Sequence, residues 1–132
     1  MTARFTRTFT AAPEHIDEMG HVNNAVWVGW VQNMATAHWR SLASEAQQAA
    51  LVWLVVRHEI DYRGNIGVSE SVTGTTFIPG KPSGAKFDRR VDFHDASGKL
   101  VVSANTTWAM LDRATGRPLR VREEVYAPFM QP

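Results

Sequence analysis

The chain has 132 residues, enough for one ordinary domain and too few for two. Fourteen Lys and Arg against thirteen Asp and Glu leave a formal charge of +1, which argues against a surface built mainly for nucleic acid or an anionic membrane. There is no cysteine, so disulfides, thiolate nucleophiles and Cys-containing metal sites are excluded. The fold must rest on its own core, or on a core completed by a partner subunit. Residues 1–13 mix Arg4, Arg7 and four Thr with single apolar residues, without the apolar stretch a secretory signal needs. The longest apolar run, residues 49–56, is eight residues long, against roughly twenty for a membrane span. A single cytoplasmic domain over 1–132, free of the membrane, is expected.

In chain order, residues 4–11 alternate Phe5, Arg7 and Phe9 with Thr6, Thr8 and Thr10 and predict a strand. Residues 13–20 break regularity. From residue 23 or 24 to about 47 there is no proline and one glycine, Gly29. Val28, Val31, Met34, Ala35, Ala37, His38 and Leu42 follow helical spacing, and Asn is a good N-cap. Val26, Trp27 and Trp30 lie outside that stripe, which predicts a helix wrapped by other elements.

Strands follow. Residues 51–63 place Val52, Leu54, Val56, His58, Ile60 and Tyr62 on one face, and Arg57, Glu59, Asp61 and Arg63 on the other. Gly64, Asn65 and Gly67 make a turn, and 68–78 predicts a second strand. Residues 85–94 oppose Phe87, Val91 and Phe93 to Lys86, Asp88, Arg90, Asp92 and His94. Residues 95–98 read as a hairpin turn, 99–111 as the last long strand and 121–126 as a short terminal helix. This is an α+β chain with an antiparallel sheet and one dominant helix. Its open sheet edges are most simply covered by a second copy.

Chemistry concentrates in residues 15–30: Asp17 stands three residues before Gly20, followed by His21 and two Asn at the helix start. Gly20 allows a sharp turn. The helix start offers unpaired N–H groups and the positive end of its dipole to a developing oxyanion. Asp17 beside it can act as base or nucleophile, and can equally be a turn residue.

The D-x-x-G-H-V-N-N segment, the aromatic Trp27, and the helix followed by a long antiparallel run resemble the hotdog-fold thioesterases. The Asp17–Gly20 spacing is similar to 4-hydroxybenzoyl-CoA thioesterase-like acyl-CoA hydrolases. His21-Val22-Asn23-Asn24 and Gly29-Trp30 are similar to plant-type acyl-carrier-protein thioesterases. The resemblance implies a hotdog fold, a five-stranded antiparallel sheet around one long central helix. It also implies a homodimer or homotetramer that cleaves an acyl thioester, acyl-CoA ahead of acyl carrier protein, without a cofactor. Asp17 would be the catalytic carboxylate, the Asn24 backbone N–H would polarise the carbonyl, and His21 would match a histidine with a catalytic role in the plant enzymes. Asn23 and Asn24 read first as caps. Met19 and Asn65 depart from the plant pattern, which has Asn and a further carboxylate there, and Trp27 replaces a tyrosine.

For substrate, Gly20, Trp27 and Trp30 border the expected site, and Arg63, Arg89 and Arg90 are candidates for coenzyme A phosphates. Lys86 and Arg90 also fit a solvated strand face. Arg89 shares a face with Phe87 and Val91, so it either pairs with a carboxylate across an interface or reaches a ligand. Trp27, Trp30, Trp53 and Trp108 are core residues of which one or two can line an acyl pocket. His58 reads as a satisfied core histidine. No metal-ligand spacing, phosphate-cradling loop or Gly-x-Ser-x-Gly is present. Two other readings remain open at this stage: a hotdog hydratase or dehydratase, whose Asn-Pro signature is missing, and a non-catalytic acyl-CoA-binding module.

Overall fold

The computed structural model describes residues 4–130; residues 1–3 and 131–132, the ends of the expected domain, lie outside the described residues. Five strands form one sheet in the order β1-β3-β4-β5-β2, with every neighbouring pair antiparallel. They are β1 (Phe5–Thr10), β2 (Leu51–Tyr62), β3 (Ser71–Phe77), β4 (Lys86–Asp95) and β5 (Leu100–Asp112). Helix α1 (Asn24–Leu42) crosses one face and packs over β1, β3 and β4. α2 (Glu45–Ala50) leads into β2, and α3 (Glu123–Tyr126) opens a C-terminal tail that continues as a short turn of helix to Met130.

Asn23 caps α1, its side chain accepting the Ala25 N–H at 2.8 Å. The buried stripe is Trp27, Trp30, Val31, Met34, Ala35 and His38. The tryptophans are therefore its centre rather than outside it, and Leu42 is exposed. Asn24, Gly29, Gln32, Asn33, Thr36 and Arg40 face outward, so the helix is not wrapped within one chain. Nor does it run to residue 47. It stops at Leu42 because Ser44 starts a new helix, its hydroxyl accepting the Gln47 N–H at 3.1 Å while the Gln47 side chain accepts the Ser44 N–H at 3.0 Å.

β4 buries alternate residues as its pattern predicts, whereas β5 buries Val101 to Ala104 in a row and both Ala109 and Met110. Nor does β2 alternate throughout. Val55 pairs with Trp108 and Arg57 with Thr107, so Val56 is an extra residue that shifts the phase. Trp53 and Val55 turn inward before the bulge, and His58 and Ile60 after it. Leu54 and Val56 are left 55% and 49% exposed. β3 begins at Ser71 rather than 68, because residues 68–70 form a tight turn in which Glu70 accepts the Gly67 N–H at 2.6 Å and Ser69 adopts φ +69°. Gly74 sits where α1 comes nearest the sheet; a methyl there would lie 2.9 Å from Met34 Sδ.

Two apolar clusters fill the space between helix and sheet. One gathers Val22, Trp27, Trp30, Val31, Met34, Val72, Val91 and Phe93 under the first half of α1. The other gathers Ile78, Phe87, Met110, Val121, Val125 and Phe129 under its end and the tail. A row of polar side chains separates them. Thr76, Arg89, Thr106 and His58 cross β3, β4, β5 and β2 on the inner face, with His38 of α1 above.

Candidate active site

The loop before α1 is held by short-range bonds. Ile16 and Val22 form an antiparallel bridge, and the Asp17 N–H donates to the His21 carbonyl at 2.8 Å. Gly20 closes the loop at φ +79°, with nothing near its α-carbon. Conformation, not space, demands glycine there. Asp17 Oδ1 accepts the N–H groups of Met19 at 2.9 Å and His21 at 3.3 Å. Asp17 is thus a turn residue through one oxygen, while Oδ2 has no partner among the described residues. The carboxylate is half-buried.

At the helix start, Asn23 Oδ1 is committed to capping. Asn24 is the first helical residue, and its N–H finds no acceptor among the described residues. The His21 ring is exposed and hydrogen-bonds no described residue. The residue that braces this loop is His15. Its Nδ1 accepts the Ala12 N–H at 2.9 Å, its carbonyl accepts the Asn23 N–H at 2.9 Å, and its ring meets Trp30 edge-on at 5.5 Å. Only its position two residues before Asp17 hints at this in the sequence.

Asn65, where the plant pattern has a carboxylate, is a second brace. Its Nδ2 donates to the Val22 carbonyl at 3.2 Å, and its Oδ1 accepts the Ile66 N–H at 2.9 Å and Trp27 Nε1 at 3.3 Å. Trp27 is 0% exposed and packs edge-on against Trp30 at 5.1 Å. The fold commits both to the core, so in this chain Trp27 offers a ligand no surface.

The three arginines do not converge. Arg63 is exposed at the end of β2. Arg90 lies on the outer face, donating to Ser103 Oγ at 2.7 Å and pairing with Asp92 at 3.4 Å. Arg89 points inward and is 7% exposed. Its Nη1 donates to His38 Nδ1 at 2.8 Å and Thr76 Oγ1 at 3.0 Å. Burial, and then the Arg89 charge, lower the His38 pKa to about 4, so the imidazole is neutral at neutral pH and can accept. His58 is only half satisfied: Nδ1 bonds Thr106 Oγ1 at 2.9 Å, but Nε2 is buried without a partner among the described residues.

A cavity of about 260 Å³ lies toward the other end of α1, bounded by Thr36 and Trp39 of the helix, Trp53, Phe87 and Trp108 of the sheet, and Phe129 of the tail. Trp53 and Trp108 line it together with Trp39, whereas Trp27 and Trp30 do not. No group of three or more His, Asp or Glu among the described residues is placed to hold a metal, and no helix is long and apolar enough to cross a membrane.

The sheet order, the long helix and the loop that feeds it define a hotdog fold of the thioesterase kind. A hypothetical protein from Staphylococcus aureus, solved in complex with CoA, superposes with a TM-score of 0.86 at 15% identity, over 100% of this chain and 88% of that one. A 1,4-dihydroxy-2-naphthoyl-CoA thioesterase from Synechocystis gives 0.79 at 15% identity, over 96% of each chain. An acyl-ACP thioesterase from Bacteroides thetaiotaomicron gives 0.83 at 21% identity; the alignment covers 98% of this chain but 54% of that one, so this chain spans about half its length. No curated protein matches. The chain belongs to the family of the acyl-ACP thioesterase N-terminal domain, whose model matches residues 2–129. That family supports thioester hydrolysis as its reaction.

Proposed function

We propose that this chain hydrolyses acyl-CoA at the loop that leads into α1, with Asp17 as the catalytic carboxylate. The observation that carries the reading is the division of labour within Asp17. Oδ1 is fixed by two backbone N–H groups, which orients the carboxylate and leaves Oδ2 to act. The unpaired Asn24 N–H, at the positive end of a 19-residue helix, suits an oxyanion. Two routes fit. In one, Oδ2 takes a proton from water as its oxygen bonds to the thioester carbon; the C–S bond then breaks and the departing thiolate receives the proton. In the other, Oδ2 itself attacks the thioester carbon, the C–S bond breaks and the thiolate leaves to be protonated by solvent; water then hydrolyses the mixed anhydride and restores the carboxylate. Neither needs a cofactor. CoA is favoured over carrier protein because CoA or a CoA thioester is named for the Staphylococcus and Synechocystis neighbours.

Assembly as a homodimer or homotetramer completes the reading. β2 pairs only with β5 among the described strands, and the outer face of α1 is bare.

Release of free thiol from a panel of thioesters is the test, since a hydratase or a binding module liberates none. Asp17→Asn retains the oxygen that holds the turn and removes the charge and basicity. Its kcat should fall by roughly 10²–10⁴-fold while substrate still binds. His21→Ala should cost less. Near-native turnover by a folded Asp17→Asn, together with loss of activity in a folded His21→Ala, would overturn the assignment.

A further inference from the structure

Arg89 is a buried cation without a counter-ion. The ion pairs among the described residues are Arg57–Glu59 and Arg90–Asp92, and neither involves it. Its neighbours are neutral: His38 and Thr76 at Nη1, and the Phe129 ring 5.9 Å from the guanidinium carbon. Nε and Nη2 have no protein acceptor among the described residues. Burial lowers its pKa only to about 10, so the charge persists at neutral pH. An unpaired charge in an apolar interior is expensive, and an anion brought to it removes much of that cost.

Arg89 also forms part of the cavity wall. Three arginines line that cavity, Arg40, Arg89 and Arg113, and no Asp or Glu does. Arg113 is occupied by the backbone carbonyls of Gln48, Ala49 and Leu51. The indole N–H groups of Trp53 and Trp108, in the same wall, also lack acceptors among the described residues. The remainder of the lining is mostly aromatic and aliphatic. This combination suits an apolar chain that ends in an acceptor carrying negative charge.

Between the cavity and the proposed reaction site lies a strip of β2 that is only partly covered. Because α1 leans toward β1, β3 and β4, the inner side chains of β2, Ile60, His58 and Val55, are only half-buried. At one end of this strip the Tyr62 hydroxyl lies 3.4 Å from the Asn24 carbonyl oxygen; at the other the Trp39 and Trp53 rings meet at 5.5 Å. Arg89 is level with Thr106 and His58, four residues along β2 from Tyr62. At a sheet rise of about 3.4 Å per residue, the separation along the strand is about 14 Å, within reach of an extended acyl chain.

We infer that the preferred substrate is an acyl thioester whose far end carries a carboxylate, and that Arg89 receives this carboxylate in the cavity beneath the end of α1. The inference rests on the thioester-hydrolase reading of the Asp17 loop and adds the substrate class. It makes Arg89 a specificity residue, not a catalytic one.

The test compares CoA monothioesters of linear dicarboxylic acids with CoA thioesters of monocarboxylic acids of equal length, following free thiol. The wild-type protein should favour the carboxylate-ended series in kcat/KM by about 10–100-fold, the scale of a hydrogen-bonded charge contact. Arg89→Gln should collapse that ratio toward one. Should Arg89→Gln fail to fold in thermal melts, calorimetry on the wild-type protein with free linear carboxylic acids and their uncharged methyl esters carries the test; only the acids should bind tightly. Equal rates for the two series in the wild-type protein would overturn the inference and leave the hydrolase intact, as expected if Arg89 instead meets a carboxylate of a second copy. If no thioester releases thiol, the hydrolase reading falls and the substrate class falls with it.

Discussion

His38 shows how burial and then a neighbouring charge, that of Arg89, together fix the protonation of a side chain. His38 accepts from Arg89 only while Nδ1 is free of a proton, and burial among Phe5, Phe129 and the guanidinium holds it so. The folded pKa, about 4, lies below the ordinary 6.5. The unfolded chain therefore binds the extra proton across that interval. Stability from this site is complete above pH 6.5, declines as pH falls toward 4, and levels off below. The loss is up to about 3 kcal/mol. Burial also lowers His58, which acts in the same direction. Thermal melts across this range should show the decline, and His38→Asn, which can still present an acceptor to Arg89, should flatten it. An unchanged slope in a folded His38→Asn would assign the pH dependence elsewhere.

At the scale of elements, helix and sheet approach each other closely at Gly74. Gly74→Ala would put a methyl 2.9 Å from Met34 Sδ and 3.0 Å from the buried Phe93 ring, so the core must shift. A loss of about 1–3 kcal/mol in denaturant unfolding is expected; an unchanged midpoint would mean that α1 rides on the sheet more loosely than this contact implies. Such a contact is invisible in sequence, where Gly74 stands in a run of Thr. β4 is legible because one buried face imposes alternation on it, and β1 and β5 because their Thr, Val and aromatic residues favour strands. β2 is not, because apolar residues occupy both faces before Val56 and conceal the bulge. The helix break was signalled by Ser44 and Gln47 at capping-box spacing, though the apolar stripe running past it masks the signal. Gly20 and Asn23 mark the loop that leads into α1 through backbone demands that few other residues meet. Arg89 is legible as an oddity on an apolar face. The cavity it borders is not, since its walls come from α1, β2, β4, β5 and the tail, far apart along the chain.

For the whole molecule, β1 and β2 are the two edges of the sheet, and β2 has Leu54 and Val56 exposed beside it. A second copy added at the β2 edge would continue the sheet. Leu54→Lys with Val56→Lys should weaken self-association by placing two like charges from each copy across the junction. Sedimentation at several concentrations reads this directly, and a wild-type protein that stays monomeric at working concentration would remove the proposed assembly. The same edge bears on colloidal behaviour. A 12-residue strand with its outer hydrogen-bonding groups unpaired is a template for any extended chain, including a misaligned copy of itself. With a net charge of +1, long-range repulsion gives little protection against such encounters. On the proposed assembly, closing the edge would therefore protect solubility as well, and the protein's shelf life in dilute solution would follow how tightly its copies hold together.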